Sequence, residues 1–191
     1  MGASRNRSGC AAATRNGPGW GFSRSPLHEP VDYHHRLEVD SDDAHRLLGQ
    51  LTDEPAYVFG SSSGAIVALD LVSKHPEQVR VLVAHEPPAV TLLPDAAQWL
   101  MFFDEVYSTY RHSGVDSAME RFNAGVGLDN LPQPPEGIQL PPQVTDMLSR
   151  IHGNLDFWLE HELRQYARFV PDIATLRTVP TRLVLAGGQD S

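Results

Sequence analysis

From Asp40 onward, apolar and polar positions recur with periods that define elements. Ala44, Leu47, Leu48 and Leu51 fall at i, i+3, i+4 and i+7, the stripe of an amphipathic helix. Asp40 or Ser41 is placed to cap that helix, and Asp42 and Asp43 suit its positive end. Thr52-Asp53-Glu54-Pro55 breaks the pattern, and residues 56–59 (Ala-Tyr-Val-Phe) are apolar without alternation, which predicts a strand covered on both faces. Residues 65–75 predict a second helix that stops at Pro76, and residues 79–84 a second β-branched strand. The order helix, strand, helix, strand predicts a right-handed parallel crossover, so the fold class is α/β.

Between Pro87 and Pro180 the strands stop. Trp99, Phe102, Phe103, Val106, Tyr107 and Tyr110 share one helical face, and Leu155, Trp158, Leu159, Leu163, Tyr166 and Val170 another. On the plainer reading these stripes pack against the sheet. On the other, Trp99, Phe102, Phe103 and Trp158 line a pocket for an apolar acyl or alkyl group. The prolines at 132, 134, 135, 141 and 142 predict an exposed connection in the middle of this helical excursion. Residues 181–186 then restore a strand.

Composition narrows the function. A chain of 191 residues, 41% hydrophobic, supports one globular core. A net charge of −9 without a dense basic block argues against nucleic acid as a partner. No apolar run approaches the roughly 20 residues of a membrane span, and no apolar leader is visible, so a cytoplasmic protein without a membrane partner is expected. Cys10 is the sole cysteine, which excludes an intrachain disulfide and a cysteine-based metal site; no cofactor or metal is called for. All 24 acidic residues follow residue 28, whereas Arg5, Arg7, Arg15 and Arg24 precede it in a stretch rich in Gly, Ser, Asn and Ala. Residues 1–20 are expected to be a disordered tail rather than a transit sequence.

The chemistry concentrates at Gly60-Ser61-Ser62-Ser63-Gly64, a G-x-S-x-G pattern between a predicted strand and a predicted helix. A serine on so tight a turn occupies a strained conformation, and its neighbours two positions away, Gly60 and Gly64, are expected to be small for that reason. The turn presents the Ser62 hydroxyl at the carboxyl end of a strand, and the Ser63 amide, at the helix start, is free to donate to an oxyanion. Two plainer readings compete: a glycine-serine turn without chemistry, and a helix N-terminus that binds an anion such as phosphate. The Lys-Ser/Thr ending of a nucleotide-binding P-loop is absent.

Residues 57–64 through Leu71, followed by Val81-Leu82-Val83-Ala84-His85-Glu86-Pro87-Pro88, resemble the core of bacterial α/β-hydrolases over roughly residues 19–191. Gly21-Phe22-Ser23-Arg24-Ser25 is similar to the glycine- and serine-rich turn that the family carries before the nucleophile elbow. The resemblance implies a partial α/β-hydrolase fold: an incomplete parallel-sheet core at residues 21–90 and 179–191, and a helical cap inserted at residues 91–178. It further implies Ser62 as nucleophile and Asp190, in Gly187-Gly188-Gln189-Asp190, as catalytic acid, unless that aspartate only stabilises its own turn. The resemblance implies a small, ester-like substrate, apolar if the aromatic side chains line the pocket. Members of this fold also use the elbow for dehalogenation, peroxidation or lyase chemistry, and a serine in the nucleophile position disfavours dehalogenation, which needs an acidic nucleophile.

The family order is serine, acid, histidine, and no histidine follows Asp190. The early strand and the second oxyanion donor are also not recognisable in residues 1–20. His85 and Glu86, just past a strand, either contact substrate or cap or have a structural role. Three strands leave sheet edges unpaired, so low solubility, association through those edges, a homo-oligomer included, or partial disorder is expected. Three functions stand: a serine hydrolase, a non-catalytic fragment completed by another polypeptide, and an anion-binding module on the same core.

Overall fold

A computed structural model describes residues 33–128 and 140–188. Helix α1 (Arg36–Leu51) leads into strand β1 (Ala56–Ser61), helix α2 (Ser63–Lys74) and strand β2 (Val79–His85). The chain then turns helical through α3 (Ala96–Gly125), α4 (Pro142–Gly153), α5 (Leu155–Phe157), a π-helical turn (Trp158–Glu162), α6 (Leu163–Ala167) and α7 (Ile173–Leu176). Strand β3 (Arg182–Ala186) closes the described order. The expected tail at residues 1–20, the Gly21–Ser25 turn, Asp190 and most of the proline-rich connection lie outside the described residues; Pro141 and Pro142 open α4, where the missing proline N–H costs no helical bond.

The strands form a parallel sheet in the order β1-β2-β3, with Phe59, Val83 and Val184 in one row and Gly60, Ala84 and Leu185 in the next. Thr181 sets the entry of β3: its buried hydroxyl donates to the Val79 carbonyl at 2.7 Å, fastening it to the start of β2. Helix α2 packs its Ala65, Ile66, Leu69 and Val72 on one sheet face against Leu82 and Ala84, with Leu37, Ala44 and Leu48 of α1 alongside. Of these, each fully buried Ile, Leu or Val side chain contributes about 1.5–3 kcal/mol.

The opposite face corrects the reading of β1 as a strand covered on both sides. Tyr57 is 76% and Phe59 68% exposed, because α1 and α2 both pack on the face that carries Leu82 and Ala84. Among the described residues no element covers the Tyr57–Phe59 side. Val170 also departs from expectation: the helix ends at Ala167, and Val170 is 69% exposed rather than part of the buried stripe.

A second apolar cluster joins Phe103, Val106 and Ala118 of α3 to Leu159, Leu163 and Ala167. Gly114, at φ 85°, interrupts α3 and lets its two halves fold against each other; a side chain there is strained in that conformation. Trp99 and Phe102 belong to this cluster, edge to face at 5.8 Å.

The helical excursion is fastened to the core by a buried polar cluster, which also overturns the capping expectation. Asp40 and Ser41 do not cap α1; they lie buried one turn inside it. Asp40 pairs with the fully buried Arg36 guanidinium at 2.7 Å and accepts from the Tyr166 hydroxyl of α6, while Glu162 stands 3.7 Å from the same guanidinium. Burial, reinforced by the Glu162 and Asp40 carboxylates, pushes the Tyr166 hydroxyl far above its ordinary range, so it remains a donor. The Arg36 amide donates to Gln165 at 2.9 Å, completing the link between α1 and α6. The sequence pattern could not reveal this, because a capping aspartate and an ion-pairing one look alike until a distant tyrosine is placed beside them. Removing one member of such a cluster strands the others in low dielectric, so Asp40→Ala is expected to lower stability by about 3–5 kcal/mol in urea unfolding.

Candidate active site

The backbone turns sharply where β1 meets α2. Ser62 sits at φ 53° and ψ −126°, as the residue before the first turn of α2. Its amide donates to the His85 carbonyl at 2.9 Å, and its own carbonyl accepts from Ala65 at 2.9 Å. A left-handed φ on a non-glycine residue costs on the order of 1–3 kcal/mol, and such strain collects at functional positions. The turn is tight because β1 runs close under α2: a Cβ at Gly60 would lie 2.5 Å from the Gly64 carbonyl oxygen and 2.8 Å from the Ala65 Cα. Gly64 differs from expectation, since a Cβ there would meet no described atom within 4 Å.

Glu86 has the matching position at the end of β2. It too is left-handed, at φ 47°, and its amide donates to the Ala186 carbonyl of β3 at 2.8 Å. One carboxylate oxygen accepts from the Gly188 amide at 2.9 Å, which ties the chain leaving β3 to the end of β2. Two strained residues therefore stand side by side at the carboxyl edge of the sheet, the edge where ligands of open parallel sheets collect.

Both face a cavity of about 410 Å³. Its floor is Ser62, Ser63 and Glu86; Phe103 and Phe122 of α3, with Trp158, Leu163 and Tyr166, form much of its wall. This volume falls in the usual range for small-molecule pockets. Ser63 opens α2, so its amide is one of those no helical carbonyl can take.

The structure thus brings together Ser62, Ser63, Glu86, Phe103 and Trp158. Three other candidates lie elsewhere among the described residues. Trp99 and Phe102 pack inside the α3 cluster, not on the cavity. His85 does not line the cavity: on the open side of the sheet its Nδ1 lies 3.0 Å from the Ser61 hydroxyl and 4.0 Å from a Glu86 carboxylate oxygen, and its ring 6.1 Å from that of Phe59. Sequence reading passed over Phe122, Asn154, Leu163 and Tyr166. Leu163 and Tyr166 belong to the Trp158 stripe and were legible as its extension, whereas Asn154 carries no signal in the sequence.

Residues 6–122 match the model of the family described as alpha/beta hydrolase fold. The chain belongs to the α/β-hydrolase fold family. It is 36% identical over 178 residues to an uncharacterized hydrolase, YraK, of Bacillus subtilis strain 168, a match covering 90% of this chain and 59% of that relative. The chain therefore spans 59% of the length of the curated relative it matches. Among solved structures, an alpha/beta hydrolase from Sphaerobacter thermophilus superposes with a TM-score of 0.54 at 18% identity, over 93% of this chain and 63% of that one. A carboxylesterase of Nitrososphaera gargenis does so with a TM-score of 0.57 at 16% identity, over 88% of this chain and 59% of that one. At those identities the likeness is one of fold, and the three-stranded sheet is a partial α/β-hydrolase sheet.

The contrast between the two glycines is directly testable. Gly60→Ala is expected to lose at least about 2 kcal/mol of stability, because the backbone it strikes cannot move without moving α2. Gly64→Ala, inside a helix with open space around it, is expected to be neutral or to gain up to about 1 kcal/mol, both read from thermal melts.

Proposed function

We propose that the chain carries the nucleophile and acyl-binding part of a hydrolase that cleaves an ester-like bond in a small apolar substrate. The single observation that supports this reading most is the strained Ser62 on the floor of an apolar cavity at the carboxyl edge of the sheet. In this reading the Ser62 oxygen attacks the substrate carbonyl carbon while a base takes its proton. The carbonyl oxygen becomes an oxyanion, to which the Ser63 amide donates. The bond to the leaving alcohol then breaks, the alcohol takes the proton, and an acyl group remains on Ser62 until water removes it.

Asp190, two residues after Gly188 in the sequence, is assigned the part of the acid that orients the base, in keeping with the family resemblance. Residues 91–178 are assigned as the cap, since α3 and the run from α4 to α6 supply most of the cavity wall. No histidine is among the described residues that line the cavity, so the base comes from elsewhere in the chain or from another polypeptide. That observation favours a second reading, a fragment that binds without catalysis. The anion-binding alternative is weakened by the Glu86 carboxylate on the same floor.

Fluorophosphonate labelling of the folded chain, read by intact mass, separates the two. Stoichiometric labelling that disappears in Ser62→Ala is expected if the serine is activated. A folded sample that takes no label removes catalysis from this chain and leaves the binding fragment.

A further inference from the structure

We infer that Glu86 makes the cavity select uncharged ligands over their carboxylate counterparts, so that the site holds a neutral ester and expels the acid formed from it. The second half of this inference rests on the hydrolase reading above; the first half does not.

The charge of Glu86 is placed for this part. Its backbone occupies the left-handed region at the end of β2, directly beside Ser62, whose amide donates to the His85 carbonyl. The Gly188 amide donates to one carboxylate oxygen at 2.9 Å, a bond that fixes the side chain. Around it the wall is made of Phe103, Phe122, Trp158, Leu163 and Ala167, which carry no charge; His85, which does not line the cavity, has its Nδ1 4.0 Å from the other carboxylate oxygen. Among the described lining residues none is Lys, Arg or His, and Asn154 and the Tyr166 hydroxyl, already committed to Asp40, supply only neutral polar groups.

A ligand carboxylate on this floor meets a like charge at close range, only partly screened by the water that reaches the half-exposed Glu86 side chain, whereas an ester or amide of the same shape does not. In hydrolysis the consequence falls on one step. Water adds its hydroxyl to the acyl carbon, the bond to Ser62 breaks, Ser62 regains a proton, and the acid formed releases its own proton to solvent. The product then becomes an anion beside Glu86, while the substrate was neutral. The same residue that tolerates the ester thus destabilises its product, which lowers product inhibition.

Matched probes test this without any turnover. Dissociation constants for 4-phenylbutyramide and 4-phenylbutyrate, measured at pH 7 by ligand-detected NMR on the full chain, are expected to differ by about tenfold in favour of the amide. Glu86→Gln is expected to bring the two within about twofold by strengthening the carboxylate. Asn154→Lys, which leaves Glu86 in place and adds a cation to the wall, is expected to erase or invert the preference, and it serves if Glu86→Gln does not fold. Equal affinities in the wild-type chain, binding of neither probe, or a preference that survives in Glu86→Gln would overturn the inference. Ser62→Ala is expected to leave the amide-to-carboxylate ratio unchanged, so a failure to label Ser62 and a failure of charge selection are separate results.

Discussion

The close passage of β1 beneath the first turn of α2 governs the rest of the site. Only a residue without a side chain fits at Gly60, where the Gly64 carbonyl and the Ala65 Cα fill the space a Cβ would need. With the strand and helix that near, the intervening residues have no room for a relaxed loop, and Ser62 is driven into the left-handed region. The cost is met by packing: Ala65 and Ile66, immediately after the turn, are fully buried against the sheet. The Ser62 hydroxyl thus stands on a well-packed part of the molecule, which suits a group that must keep its position.

The cavity above that turn depends on a different kind of contact. Aromatic and aliphatic side chains supply its wall, yet what fixes α6 to the core is the Arg36–Asp40–Tyr166–Glu162 cluster. Buried ion pairs give little net stability, but a misplaced partner is costly, so they specify one arrangement over its neighbours. Tyr166 links the two roles, with its ring on the cavity and its hydroxyl on Asp40. The π-helical turn just before α6 serves the same end, since Trp158 at its start reaches the cavity and Glu162 at its end reaches Arg36.

Two carboxyl-edge residues differ in charge. Ser62 is neutral and Glu86 carries a carboxylate, each on a strained backbone, each held by a main-chain bond to the neighbouring strand. Parallel pairing in this register is what puts them abreast, because Ser61 aligns with His85, and Ser62 and Glu86 are the next step along. A one-residue slip would send Glu86 to the open face and bring His85 to the floor.

Local pattern alone determined the α/β class, the three strands, the helical excursion and the serine turn, since each is set by short-range periodicity or by the small residues a tight turn demands. The family resemblance was legible in the same residues, from Tyr57 to Gly64 and from Val81 to Pro88. Which aromatic side chains reach the cavity was decided only in three dimensions: Phe103 and Trp158 face it while Trp99 and Phe102, at equivalent helical spacing, face each other. The same holds for Asp40, a capping residue by pattern and an ion-pair member in the fold, and for the bare side of β1, since apolar sequence states what a strand can bury but not what arrives to cover it. Periodicity is a property of one element, whereas burial and charge pairing are properties of two, and the second partner is chosen by the tertiary fold.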